Sequence, residues 1–91
     1  MTDAAVVGSG PNGLAAAVVL ARAGLSVRVY EAAATIGGGA RTGELEAGHL
    51  NDLCSAVHPM AIASPFFSQF DLRRRIAFAV PEISYAHPLD G

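Results

Sequence analysis

The segment Val6-Val7-Gly8-Ser9-Gly10-Pro11-Asn12-Gly13-Leu14 constrains this chain more tightly than any other. Three glycines in the spacing G-x-G-x-x-G stand between an apolar run and a stretch with helical periodicity. Each one loosens the backbone, so their concentration at one junction implies that something comes very close to the main chain there. Ala4, Ala5, Val6 and Val7 form a continuous apolar run that stops at Gly8, the pattern of a short strand buried on both faces in a parallel sheet. Pro11 stands where a first helical turn tolerates a missing N–H. Leu14, Ala17, Val18 and Ala21 then recur at helical spacing until Gly24 offers a C-terminal cap. Residues 26–31 alternate, with Val27 and Val29 on one side and Ser26, Arg28 and Tyr30 on the other, and give a second strand.

Strand, glycine turn, helix and strand within about 30 residues make a βαβ unit with a right-handed crossover. The expected fold class is therefore α/β: an incomplete Rossmann-like dinucleotide-binding unit followed by a short helix and edge strands. Each glycine has a physical task in such a unit. Gly8 permits the tight turn, Gly10 lets a pyrophosphate approach the backbone, and Gly13 lets the helix press against the strands. Free N–H groups at the helix start, where Asn12 follows Pro11, which has none of its own, face the phosphates. Glu31 follows Gly13 at close to the roughly 20 positions expected of the acidic residue in this fold. Its carboxylate would accept hydrogen bonds from a ribose diol and repel a 2′-phosphate, which disfavours NADP. A glycine turn in an ordinary α/β domain is the plainer alternative.

Gly37, Gly38, Gly39, Arg41 and Thr42 follow soon after the ribose carboxylate. They form a second place where bare backbone and a cation could approach the same ligand, or else a surface loop with a solvated arginine. FAD is longer than NAD and would need such a second support. The stretch from Val6 to Thr42 resembles the N-terminal FAD-binding region of phytoene desaturase-like (phytoene dehydrogenase-related) FAD-dependent oxidoreductases, whose wider relatives include amine oxidases. "CSAVHPMAIASPFF" and "AVPEISYAHPLDG" resemble the same family more loosely. The resemblance implies phosphate contacts from residues 8–13, adenosine-ribose contacts from Glu31, and flavin-side contacts from Gly38, Gly39, Arg41 and Thr42. Members of that family are longer, with a C-terminal segment that closes the flavin site and a separate substrate domain. It therefore implies that residues 1–42 are the dinucleotide-binding part and residues 43–91 the start of the flavin and substrate region. In such enzymes the flavin N5 accepts a hydride from a C–H or C–N bond, and no catalytic side chain is identifiable here.

Two rivals remain. An NAD-dependent dehydrogenase domain would use Gly8, Gly10, Gly13 and Glu31 but leave residues 37–42 without a task. The other is a non-catalytic nucleotide-binding remnant, or a fragment stable only by pairing, for instance as a homodimer. Composition bears on the second: 52% of the 91 residues are hydrophobic and 15% charged, sparse for the surface of a small soluble monomer. A domain of this size buries only about 60–65% of its unfolded surface, so some apolar surface is expected to be covered by other chain.

The formal charge of −2 gives no electrostatic footprint for nucleic acid, and Arg73, Arg74 and Arg75 read as a solvated helix end. Cys54 is alone, so it forms no internal disulfide, fits a reducing, cytoplasmic setting, and reads as a buried spectator thiol. No apolar run approaches the 18 or so residues of a membrane span. His49, His58 and His87 lack metal-ligand spacing. His58 reads as a capping or packed side chain, with a role near the flavin ring, or covalent flavin attachment at a histidine or Cys54, as lesser alternatives. Glu44, Glu46 and Asp52 read as surface positions around a hairpin. Ser64-Pro65 is expected to start a short helix whose Phe66, Phe67 and Phe70 form an apolar face. Residues 76–80 and 83–86 read as edge strands near Pro81 and Pro88, and Asp90-Gly91 is a hairpin-favouring dipeptide.

Overall fold

The computed structural model describes residues 1–90; the Asp90-Gly91 turn lies outside the described residues. One compact unit spans Met1–Ala56 and a second begins at Val57. In the first, strand β1 (Ala4–Val7), helix α1 (Pro11–Arg22) and strand β2 (Val27–Tyr30) follow in order. β1 and β2 pair in parallel, with Ala4 opposite Val27, Val6 opposite Val29 and Val7 opposite Tyr30. The crossover that parallel pairing demands is α1, which packs on both strands.

α1 is bounded as its residues require. Gly10 is the N-cap and Pro11 the first helical residue. At the other end Gly24 has φ +90°. The Gly24 N–H donates to Ala21 O and the Leu25 N–H to Leu20 O, at 3.0 and 3.2 Å. This paired arrangement past a left-handed glycine satisfies two terminal carbonyls and stops the helix.

β1 is not buried on both faces. Ala4 and Val6 are half-buried on the side of the sheet that α1 covers, whereas Ala5 is exposed and Val7 is 88% exposed. A parallel strand becomes buried on both sides only when helices cover both, and one helix joins β1 to β2. No apolar side chain is fully buried among the described residues; Ser9 alone is, at 1% exposure.

Beyond β2, a short 3₁₀ turn (Gly38–Ala40) leads into an antiparallel hairpin of β3 (Thr42–Glu46) and β4 (His49–Asp52), with a register shift between Glu44 and Glu46. Glu44, Glu46 and Asp52 are exposed on it, in the surface positions their spacing suggests.

The second unit contains α2 (Met60–Ala63), α3 (Pro65–Gln69) and α4 (Leu72–Arg75). Ser64 is the N-cap of α3 and Pro65 its first residue, but the serine hydroxyl makes no capping bond. Phe66 stacks on Phe70 at 5.7 Å between ring centroids and meets Phe67 edge-on at 5.3 Å. All three rings are half-buried. The three arginines end α4: Arg75 lies 4.3 Å over the Phe70 ring, and Arg74 makes an exposed 3.6 Å ion pair with Asp71. Residues 76–80 and 83–86 form no strands. Their β-forming side chains count only when a neighbouring strand supplies cross-strand partners, and none pairs with them. Among the described residues no helix is long and apolar enough to cross a membrane.

Candidate functional site

The carboxyl ends of β1 and β2 and the start of α1 meet in one crevice, built mostly from main chain. Gly8 has φ +94°, a conformation side-chain-bearing residues avoid. Its N–H donates to Tyr30 O at 2.7 Å and closes the ladder between the strands. Gly10 is extended (φ −69°, ψ 174°), and its carbonyl accepts the Leu14 N–H at 3.0 Å. The N–H groups of Asn12 and Gly13 precede that first helical bond and have no acceptor within the helix. Together with the positive end of the helix dipole they make a seat for an anion. At Gly13 a Cβ would overlap the Gly8 carbonyl and touch Val6 Cγ1 at 3.6 Å. The three glycines thus do different work: conformation at Gly8, a bare seat for the second glycine turn at Gly10, contact of helix with strand at Gly13.

Ser9, between the first two glycines, ties the crevice together. Its backbone N–H donates to Glu31 Oε2 at 2.8 Å, and its hydroxyl donates to the same oxygen. Its carbonyl accepts the Gly37 N–H at 2.9 Å. Glu31 Oε1 accepts the Ala33 N–H at 2.9 Å. These donors favour the ionised carboxylate. The Ser9 hydroxyl contributes most, followed by the Ala33 and Ser9 N–H groups and, more weakly, the Ala32 N–H. They outweigh a small opposing desolvation and hold the Glu31 pKa down from 4.5 to about 2. A carboxyl depressed on folding stabilises the folded form above its ordinary titration range, and that contribution disappears as pH falls through about 2. Glu31 is nonetheless exposed, so the anion remains open to a ligand.

The second glycine turn leans on the first. Gly37 and Gly38 have φ +116° and +56°, and a Cβ on Gly38 would stand 2.8 Å from Gly10 Cα. Arg41 Nε donates to Gly38 O at 2.8 Å, which folds the half-buried arginine back over the turn. Gly39 faces the hairpin instead: its carbonyl accepts the N–H and hydroxyl of Ser55, both at 3.0 Å. The Thr42 hydroxyl lies 3.2 Å from Asp52 Oδ1. Gly8, Gly10, Gly13, Glu31, Gly38 and Arg41 are therefore joined by a chain of contacts running through Ser9 and Gly10, while Gly39 and Thr42 connect it to the hairpin and Ser55.

Two side-chain expectations need correction. Cys54 is exposed, not buried: it lies against Gly39, its Sγ 3.5 Å from the position a Cβ would take there, and no apolar core is present to enclose it. His58 is exposed rather than packed, and its carbonyl, not its ring, takes part in a turn by accepting the Ala61 N–H at 3.0 Å. Sequence reasoning also passed over Ser9 and the Gly37 N–H. The available signal was position: a small hydroxyl residue between two glycines lies beside the end of the next parallel strand, where the acidic residue sits.

A family model described as an NAD(P)-binding Rossmann-like domain matches residues 6–74. No curated protein matches the chain.

Proposed function

The chain belongs to the NAD(P)-binding Rossmann-like domain family, and from that premise we propose that its crevice binds FAD, as the adenylate-gripping part of a flavin-dependent oxidoreductase. The observation that carries this reading is the seating of the second glycine turn on the first: the Gly37 N–H on Ser9 O at 2.9 Å and Gly38 against Gly10. A nicotinamide dinucleotide is served by the first turn and the carboxylate alone. A second bare segment beside the same seat suits a ligand with a longer diphosphate-linked chain. The residues fit the group: side-chain-free backbone at Gly10, helix-start N–H groups without an acceptor in the helix, and an ionised carboxylate at the end of β2.

In this reading the main chain at Gly8, Gly10, Asn12 and Gly13, with Pro11 fixing the first turn, cradles the pyrophosphate. Glu31 accepts a ribose hydroxyl, and its charge repels a 2′-phosphate. Gly38, Gly39, Arg41 and Thr42 support the flavin side, with residues 1–42 as the dinucleotide-binding part and residues 43–91 as the start of the flavin and substrate region. Two-electron oxidation of a C–H or C–N bond is chemistry that FAD supplies when bound; the protein supplies grip and electrostatics. The phytoene dehydrogenase-like assignment rests on the resemblance of residues 6–42, and a cytoplasmic setting on the lone unpaired cysteine. The purified protein is expected to be yellow, with flavin absorbance, or to quench FAD fluorescence on titration. A colourless protein that ignores FAD but retains NADH would overturn the flavin reading in favour of a nicotinamide dinucleotide.

A second reading is favoured by the absence of any buried apolar side chain among the described residues and by Val7 at 88% exposure. In this one the unit is a nucleotide-binding fragment stabilised by a second copy of itself. Size-exclusion chromatography with light scattering decides it: a dimer supports self-association, and a well-behaved monomer removes it.

A further inference from the structure

We infer that Ser9 is a positioning residue for the ribose carboxylate: its buried hydroxyl fixes Glu31 in place so that the exposed face of that carboxylate meets the adenosine ribose. The inference rests on the proposed FAD reading and deepens it. Ser9 is the one fully buried residue among those described, and a buried hydroxyl needs a partner. Its partner is Glu31 Oε2, which the Ser9 N–H also reaches at 2.8 Å. Two donors from one residue on one oxygen set both the position and the rotation of the carboxylate. The Ala33 N–H on Oε1 completes the clamp at 2.9 Å. The holder is hidden and the held group is exposed, the arrangement wanted when a ligand is to use the carboxylate without displacing what orients it.

The chemistry has a reason. A carboxylate on a free side chain must lose rotamer freedom when it accepts a ribose hydroxyl, and prior fixing lowers that cost. The same clamp keeps the group ionised, and a hydrogen bond to a charged acceptor is stronger than one to a neutral carboxyl. Ser9 also carries the link to the second turn through its carbonyl, but that bond, like its N–H, survives loss of the hydroxyl. The hydroxyl can therefore be tested alone.

The test compares FAD dissociation constants, across pH, for the unmodified protein, Ser9→Ala, Glu31→Gln and the double variant, with circular dichroism as a check on folding. Ser9→Ala is expected to weaken FAD binding about tenfold at neutral pH, as loss of a hydrogen bond to a charged group would. It should also move the acid limb of binding upward, from near pH 2 toward the ordinary carboxylate value of 4.5. In the Glu31→Gln background the same change should add little, because the two residues act as one unit. Ser9→Cys keeps the buried volume while offering only a weak donor, so it should reproduce the direction of both shifts if Ser9→Ala fails to fold. FAD binding by the unmodified protein with an unchanged constant and acid limb in the serine variants would overturn the Ser9 assignment alone. Absence of FAD binding by the unmodified, folded protein would overturn the flavin reading and the positioning role with it.

Discussion

The two glycine turns of the first unit look alike in composition and differ in what shapes them. Residues 8–13 are fixed by their immediate neighbours: β1 ends on one side, α1 begins on the other, and Gly13 touches the Gly8 carbonyl because helix and strand must pack. The second turn is framed on one side only, by the hairpin that follows it and by Ser55 just beyond. Gly37 donates its N–H to the Ser9 carbonyl, Gly38 rests on Gly10, and Arg41 closes over the Gly38 carbonyl. One turn is a local consequence of the βαβ unit; the other borrows its geometry from the first. The ligand seat is therefore a hierarchy, and disturbing the first turn should disturb the second, while the reverse disturbance can be absorbed.

Gly13→Ala is the severest way to break that contrast. The added Cβ would fall inside the Gly8 carbonyl, between two backbone segments that cannot rotate out of the way as a side chain would. Overpacking of a fixed contact costs about 1–3 kcal/mol, and the backbone-on-backbone case belongs at about 3 kcal/mol. For a unit without a buried apolar core that is a large share of the total stability. Urea denaturation followed by circular dichroism is expected to show loss of most of the folded baseline. A variant with an unaltered midpoint would mean that the helix is not tightly seated at this point.

Gly38→Ala is expected to cost less, about 2 kcal/mol. Its Cβ would come within 2.8 Å of Gly10 Cα, and φ +56° adds some strain. The second turn can nevertheless shift outward with the hairpin it is bonded to, because it meets the first turn through the Gly37–Ser9 hydrogen bond and the contact of Gly38 with Gly10 and Pro11. Its denaturation midpoint should lie between those of Gly13→Ala and the unmodified protein, with the β1–α1–β2 circular dichroism signal retained at low denaturant. Equal losses in the two variants would erase the hierarchy and make the turns a single cooperative element.

The same contrast explains which parts were legible from the residues. The first turn was readable almost position by position, since Gly8, Pro11, Gly13 and Gly24 each answer a constraint set within a few residues. The parallel pairing followed because a helix separates the two strands. Ser9 escaped notice because its role depends on Glu31, a residue remote in sequence and brought beside it only by the crossover. Burial of β1 on both faces and strands at residues 76–80 and 83–86 were misjudged for a related reason. Apolar and β-branched side chains state what a segment could do with partners, and the described residues supply no second covering helix and no neighbouring strand. Cys54 differs likewise: thiols are usually buried, but this one lies exposed beside Gly39, with no apolar core to enclose it.

The smallest expected change in stability sharpens the comparison most. Gly10 has ordinary extended dihedrals, and a Cβ there would find its nearest neighbour, Gly38 Cα, at 3.8 Å, a normal van der Waals contact. Nothing in the folded chain demands glycine at this point. Gly10→Ala should therefore leave the denaturation midpoint within about 0.5 kcal/mol of the original, or raise it slightly by restricting the unfolded chain. Yet the methyl would stand between Gly10 and Gly38, beside the backbone that the pyrophosphate is proposed to approach. FAD affinity should fall by at least about tenfold, roughly 1.4 kcal/mol, with no matching loss of fold. That dissociation between stability and binding separates a residue kept for the ligand from Gly13, which is kept for the packing of helix on strand. Were Gly10→Ala to bind FAD as well as the unmodified chain, the bare backbone at Gly10 would serve no ligand, and the first turn would be explained by chain geometry alone.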